Sequence, residues 1–82
     1  MATLFYLGRL MDALGTGTET LAIPPGVNDT AALRTWLDAE RQLGGILTEP
    51  TVRLAINDVI VSEPCAISDT DEIAFLPPVG GG

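Results

Sequence analysis

The chain has 82 residues, among them eleven acidic side chains against four arginines, with no lysine and no histidine, and its formal net charge is −7 at pH 7. Nucleic-acid binding is not expected, because it depends on cationic side chains that neutralise phosphates. Without histidine, and with Cys65 as its single cysteine, the chain lacks the usual general base, an internal disulfide and a thiolate metal cluster. The acidic balance fits a protein partner with a basic surface, although it also serves solubility alone.

The length predicts one domain, and the hydrophobic content of 46% is sufficient for a compact core. No apolar run reaches the roughly 18 residues that a membrane span needs, so no membrane association is expected. The first four residues, Met-Ala-Thr-Leu, have neither the basic stretch nor the long apolar region of a secretory signal. We therefore expect a cytoplasmic protein.

The first half of the chain predicts two strands and a helix. Residues 2–7 read as a strand that ends at Gly8, and residues 19–23 read as a second, alternating strand. Turn residues at 15–17 favour a hairpin between these strands.

The helix is predicted from residue 29 or 30 to residue 43, followed by Gly44-Gly45. Leu33, Trp36 and Leu37 form one apolar stripe on it, which predicts packing against a sheet with Trp36 in the core.

The second half predicts three more strands, at residues 52–56, 59–61 and 72–76. The resulting order is strand, strand, helix, strand, short strand, strand. A single helix after a hairpin fits a mixed sheet with that helix across one face. This order predicts an α+β protein of the β-grasp (ubiquitin-like) fold, with a domain at residues 1–76 and a flexible C-terminal tail at residues 77–82.

The last six residues have a composition that suits delivery into another protein. Pro77 and Pro78 cannot extend a strand ladder and favour an extended conformation. Gly80, Gly81 and Gly82 have no Cβ to obstruct a narrow channel. Terminal glycines also occur as frayed ends, but here they follow a stiff spacer and a ubiquitin-like order of elements. We therefore interpret the tail as functional.

The sequence resembles the MoaD-type small subunits of molybdopterin synthase, in the MoaD/ThiS family of sulfur carriers. The resemblance rests on the ending Pro-Pro-Val-Gly-Gly-Gly at 77–82, on Ala-Ile-Asn at 55–57, and on Ser-Asp-Thr-Asp-Glu-Ile-Ala at 68–74. The chain departs from the family pattern at Thr70, where the family usually has a turn glycine, and at Leu76, where an aromatic residue is common. The resemblance covers the whole chain and is strongest after residue 54.

The resemblance implies a carrier whose reactive group is the Gly82 carboxylate, presented by Gly80 and Gly81. An E1-like adenylyltransferase would activate that carboxylate with ATP, and a sulfur donor would convert it to a thiocarboxylate. The carrier itself would bind no cofactor. Sulfur would then pass to a cyclic pterin precursor in the large synthase subunit, within a heterotetramer of two small and two large subunits. The small subunit would carry the group, and the large subunit would supply the pocket.

The resemblance also implies partner contacts at Leu7, Ile60 and Leu76. Strand alternation supports this interpretation, because Leu76 lies outside the core if Phe75 faces the helix. An exposed apolar patch at the start of the tail is what an interface needs. The alternative is that all three are ordinary core residues.

Three other functions remain open at this stage. The chain could carry sulfur for the thiamin thiazole or another pathway, it could be a ubiquitin-like protein modifier, or it could be a binding module without tail chemistry. Cys65 has no basic neighbour that would activate it as a nucleophile, so we interpret it as a small packing residue and not as a sulfur relay.

Overall fold

The structure is a computed structural model that describes residues 1–78. The elements along this part of the chain are β1 (Ala2–Tyr6), α1 (Arg9–Leu14), β2 (Thr18–Leu21), α2 (Thr30–Arg41), a 3-10 helix (Ile46–Thr48), β3 (Arg53–Ile56), β4 (Val59–Ile60) and β5 (Glu72–Leu76). The predicted strands are all present, with ends that differ by two residues at most and with β5 as predicted. The predicted helix is α2, which ends two residues earlier than expected because Gln42 adopts a left-handed conformation.

The strands form one mixed sheet in the order β2-β1-β5-β3-β4. The two central strands, β1 and β5, run parallel, and the other neighbouring pairs are antiparallel. Because parallel strands need a long crossover, the whole segment between β1 and β5, including α2, serves as that connection. A mixed five-stranded sheet with one main helix is the β-grasp architecture, so the predicted fold class is confirmed.

The core lies between α2 and one face of the sheet. Leu4 in β1 and Ile73 in β5 are fully buried and pair in register, and Leu33 and Leu37 of α2 are fully buried with them. Full burial of each such side chain contributes about 1.5–3 kcal/mol. Trp36 packs against this cluster at its margin and is half-buried, so it is less central than the apolar stripe suggested.

Helix α2 begins at a side-chain cap and is anchored at both ends. The Asp29 carboxylate accepts a hydrogen bond from the Ala32 backbone N–H at 2.8 Å. Near the last turn, Arg41 pairs with Glu19 on β2. The helix is thereby joined to an edge strand as well as to the central ones.

The connection between β1 and β2 corrects the hairpin prediction. The strands do pair antiparallel, but six of the residues between them form α1 rather than part of a short turn. Leu10 is the reason this short helix is stable, because its side chain is fully buried in the core. Gly15 then ends the helix with φ of 77°, a conformation that favours glycine.

Arg34 joins α2 to the segment that leads into β3. Its guanidinium donates to the backbone carbonyls of Leu47 at 2.8 Å and Glu49 at 3.1 Å, and also to that of Val52. The same group binds the Glu63 carboxylate at two points. A planar guanidinium with five donors suits this many acceptors. No helix within residues 1–78 has the length and apolar character needed to cross a membrane.

Candidate partner-docking site at the end of β5

Alternation in β5 places consecutive side chains on opposite faces of the sheet. Ile73 and Phe75 are fully buried under α2, while Ala74 and Leu76 lie on the open face and are half-buried. The predicted parity of this strand is therefore confirmed. The open face has no helix across it, and it is where the predicted partner residues lie.

Leu7, Ile60 and Leu76 line one groove of about 440 Å³, which we call the Leu76 groove. Leu7 lies beside β5 because its backbone N–H donates to the Phe75 carbonyl at 3.2 Å. Leu7 is 41% exposed and Ile60 is 56% exposed, so these two are not core residues. The structure thus brings together three residues that are far apart in sequence. Their role in binding a partner stays a prediction.

Pro77 and Pro78 also line the Leu76 groove, and both are half-buried. Gly8 allows this close approach, because a Cβ at that position would lie 3.0 Å from the Pro77 Cγ. Sequence reasoning did not identify Gly8 as part of the site, although its place directly after β1 was a signal. The other tail residues, including the predicted carrier Gly82 with Gly80 and Gly81, lie outside the described residues.

Among residues 1–78, Arg53 is the one charged residue that lines the Leu76 groove. It faces Leu76 across the ladder between β3 and β5. Arg34 and Arg41 form ion pairs with Glu63 and Glu19 elsewhere in the domain, so their charges are neutralised locally. As far as the described residues go, the groove is an apolar surface with one cation, which is suited to contact with a partner. Sequence reasoning did not identify Arg53 either.

The described residues offer no obvious metal centre. Within residues 1–78, no group of three or more cysteine, aspartate or glutamate side chains is arranged to hold a metal ion. Cys65 is half-buried in the loop before β5, and its backbone N–H donates to the Thr30 hydroxyl at 3.0 Å. That contact joins the loop to the start of α2, and the role of the Cys65 side chain as a packing residue stays a prediction.

A family model described as the ThiS family matches residues 4–82. The chain belongs to the ThiS family. Over 84 aligned positions it is 33% identical to the molybdopterin synthase sulfur carrier subunit of Escherichia coli (strain K12), and the alignment covers 100% of both chains. The protein is therefore a homologue of that subunit along its whole length.

Solved structures confirm the β-grasp fold of this ThiS-family chain. A small archaeal modifier protein 1 from Haloferax volcanii superposes with a TM-score of 0.75 at 18% identity, covering 95% of this chain and 97% of that one. A putative molybdopterin converting factor subunit 1 from Pyrococcus furiosus gives 0.74 at 20% identity, with coverage of 95% and 97%. A chain in the complex of subunits 1 and 2 of the Helicobacter pylori molybdopterin-converting factor gives 0.65 at 24% identity, with coverage of 99% and 97%.

The departure from the family pattern at Thr70 has a local explanation. The turn is closed by the Asp71 backbone N–H, which donates to the Ser68 carbonyl at 3.1 Å, and by the Asp71 carboxylate, which accepts from the Ser68 N–H at 2.8 Å. Thr70 is not among the residues with positive φ, so this turn does not require glycine.

Proposed function

We propose that this protein is the sulfur-carrier subunit of a molybdopterin synthase. The observation that carries the proposal is an exposed apolar groove lined by Pro77 and Pro78, together with a sequence that ends in Pro-Pro-Val-Gly-Gly-Gly. The whole-length likeness to the Escherichia coli sulfur carrier subunit supports it. A domain without histidine and with an apolar groove is suited to carrying a group rather than transforming one.

The chemistry takes place at the carboxylate of Gly82. That carboxylate attacks the α-phosphorus of ATP on an E1-like adenylyltransferase, and pyrophosphate leaves. Sulfide as the donor attacks the acyl carbon, AMP leaves, and a thiocarboxylate forms directly. A persulfide donor attacks in the same way but forms an acyl disulfide, and a thiol of the sulfur-donating partner then attacks the donor's sulfur, which releases the thiocarboxylate and leaves a disulfide on that partner. Its sulfur is an anionic nucleophile at neutral pH, as thiolates are when their pKa is low. The ATP is used by the activating partner, and this chain needs no bound cofactor.

The receiving partner is the large synthase subunit, into which Gly80, Gly81 and Gly82 carry the sulfur. The Leu76 groove binds that subunit and sets the direction in which the tail leaves the domain. Two loaded carriers supply the two sulfurs of the dithiolene that forms on a cyclic pterin precursor, in an assembly of two small and two large subunits. A complex of the two corresponding subunits in Helicobacter pylori supports this choice of partner.

Intact-mass measurement tests the proposal. The protein is incubated with ATP, an E1-like adenylyltransferase and a sulfur donor. We expect a mass gain of about 16 Da from the replacement of one carboxylate oxygen by sulfur, which gives a thiolate-like group. Peptide mapping should place the gain on the C-terminal peptide, and deletion of Gly81 and Gly82 should abolish it. The matched control is Cys65→Ala, which should load as the wild type does. Loading at Cys65 would overturn the mechanism.

Three further assays separate the other functions. A carrier for thiazole or another pathway would gain the same mass but would not restore molybdopterin formation with a large synthase subunit. A ubiquitin-like modifier would form amide bonds from Gly82 to lysines of other proteins; the chain has no lysine to receive such a bond itself. A binding module without tail chemistry would function normally after deletion of Gly81 and Gly82.

A further inference from the structure

A second apolar cleft lies on the open face of the sheet, on the far side of Leu7 from the Leu76 groove. Its volume is about 520 Å³, and Phe5, Leu7, Met11 and Ala74 supply most of its apolar lining. We call it the Met11 cleft. Met11 is 45% exposed. A polar residue at this position of α1 would cost the core nothing, so folding does not require an apolar side chain there.

Two features of the backbone form this cleft. Phe5 of β1 and Ala74 of β5 are paired in register, so a large and a small side chain lie next to each other and leave a depression between them. Burial of Leu10 in the core holds α1 against β1, with Met11 exposed. Gly17 lets the thioether lie close, because a Cβ there would be 3.2 Å from the Met11 Sδ.

The Met11 cleft adjoins the Leu76 groove. Leu7 lines both, so the two depressions are neighbours that share one exposed apolar side chain. Strips of exposed apolar side chains on a small domain mark contact surfaces. A partner that binds the Leu76 groove therefore has a second depression directly beside it.

The charges around the two depressions differ in sign. Asp58 and Glu72 lie at the rim of the Met11 cleft, and no arginine lines it. Arg53 lies in the Leu76 groove instead. An apolar depression with carboxylates at its rim favours an apolar side chain that has a cationic neighbour, because complementary charges speed encounter and fix the orientation of a complex.

We propose that the Met11 cleft is a second contact for the large synthase subunit, and that it takes an apolar side chain of that subunit with a lysine or arginine beside it. The inference rests on the proposed function, since it assumes that the large subunit is the partner on the Leu76 groove. The Met11 cleft would then discriminate between related partners, because a partner must supply both an apolar side chain that fills the cleft and a positive charge opposite its carboxylates.

Calorimetric titration of the purified large subunit with three variants of the full chain tests this proposal. Met11→Glu should weaken binding about tenfold or more, because it places a carboxylate in a desolvated apolar contact beside two others. Met11→Leu should bind the large subunit with an affinity within about threefold of the wild type's, since leucine keeps the apolar volume. Ala39→Glu adds the same charge at an exposed position of α2, under the other face of the sheet, and should bind as the wild type does. Melting curves confirm that each variant is folded.

A kinetic measurement tests the rim charges separately. In the double variant Asp58→Asn, Glu72→Gln, the association rate with the large subunit should fall about threefold or more at low salt, while dissociation changes little. Asparagine is suitable at position 58, where φ is 71°, because it tolerates the left-handed region. The difference from the wild type should shrink as salt is raised.

Several outcomes would overturn the inference. Folded Met11→Glu that binds the large subunit like the wild type would exclude the cleft from the interface, as would an effect confined to the activating enzyme. If Ala39→Glu lost as much affinity for the large subunit as Met11→Glu, the effect would come from the added charge in general and not from the cleft. Failure of the proposed function would be seen differently: the wild type itself would not bind the large subunit, or Gly82 would not be loaded.

Discussion

Phe75 and Leu76 are consecutive in β5, yet one is part of the core and the other lines the candidate docking groove. The Phe75 ring is fully buried beside Tyr6, with their ring centroids 5.6 Å apart. Leu76 lies on the open face opposite Arg53. Substitutions at these two positions should therefore separate stability from binding.

We expect Leu76→Asp to weaken binding of the large subunit by about 2 kcal/mol or more, because it removes an apolar side chain from the contact and desolvates a carboxylate there, even with Arg53 opposite. Its free energy of unfolding should fall much less, since the side chain is only half-buried in the free domain. Phe75→Ala should instead cost about 3–5 kcal/mol of stability as a core truncation. Melting curves and calorimetric titration of both variants measure the two effects. Unfolding by Leu76→Asp, together with a stable Phe75→Ala that cannot bind, would contradict this assignment.

The Arg34–Glu63 pair should make stability depend on acid pH. Burial raises the pKa of the Glu63 carboxyl, but the hydrogen bonds and charge of Arg34 outweigh it, so the pKa lies below its ordinary value. A carboxyl whose pKa is lowered on folding stabilises the protein above its unfolded pKa, near 4.5, and this contribution is lost as pH falls through the folded pKa. Glu63→Gln should remove this part of the stability loss at acid pH.

Melting temperatures of the wild type and Glu63→Gln measure the pH-dependent contribution of Glu63 to stability. They are recorded between about pH 2 and pH 7, because this range spans the pKa values of carboxyl groups. Asp69 also contributes in this range, because the Ile23 N–H and then the N-terminal ammonium lower the pKa of its carboxyl. The relevant quantity is therefore the difference between the two proteins, which should narrow as pH falls. A difference that stays constant with pH would contradict the prediction.

Tyr6→Phe should leave the protein as stable or make it about 1 kcal/mol more stable at neutral pH. The Tyr6 hydroxyl is buried and has no hydrogen-bond partner among residues 1–78, and an unsatisfied buried donor is destabilising. Burial, and then the nearby Glu19 charge, raise the pKa of this phenol well above its usual range. Because folding favours the neutral phenol, the wild type should lose stability above about pH 10, and Tyr6→Phe should lack that loss.

Urea unfolding at pH 7 and at alkaline pH measures both effects of Tyr6→Phe. A loss of more than about 1 kcal/mol at pH 7 would show that the hydroxyl does form a hydrogen bond in solution, for which the neighbouring Glu19 carboxylate is a candidate acceptor.

Asp38 should be important for stability despite its charge. Its buried carboxylate accepts from the backbone N–H of Gly45 at 2.8 Å and from that of Leu47 at 2.9 Å, one oxygen for each donor. We expect Asp38→Ala to cost about 2–3 kcal/mol, because two donors lose their partner. Asp38→Asn should cost less, since an amide keeps one acceptor oxygen. Glu40→Ala, at an exposed position of the same helix, is the control and should stay within about 0.5 kcal/mol.

The sequence was most informative where the pattern is local and repeated. Alternation predicted that Phe75 faces the core and Leu76 the open face, and it located all five strands to within two residues. Caps and the apolar stripe predicted α2. The short helix α1 was missed because six residues between glycines have weak intrinsic helicity, and its stability comes from burial of Leu10.

The candidate site likewise has some features that the sequence shows and others that only the structure shows. Its closing motif at 77–82 and the apolar character of Leu7, Ile60 and Leu76 are properties of the sequence by itself. Only the tertiary structure decided that these three side chains share one groove, that Arg53 lies at its edge and that the Met11 cleft adjoins it. The physical reason is that alternation determines which face a side chain occupies, whereas strand neighbours are determined by long-range pairing. Here the parallel pairing of β1 with β5 brings residues some seventy positions apart into contact, as in Tyr6 opposite Phe75.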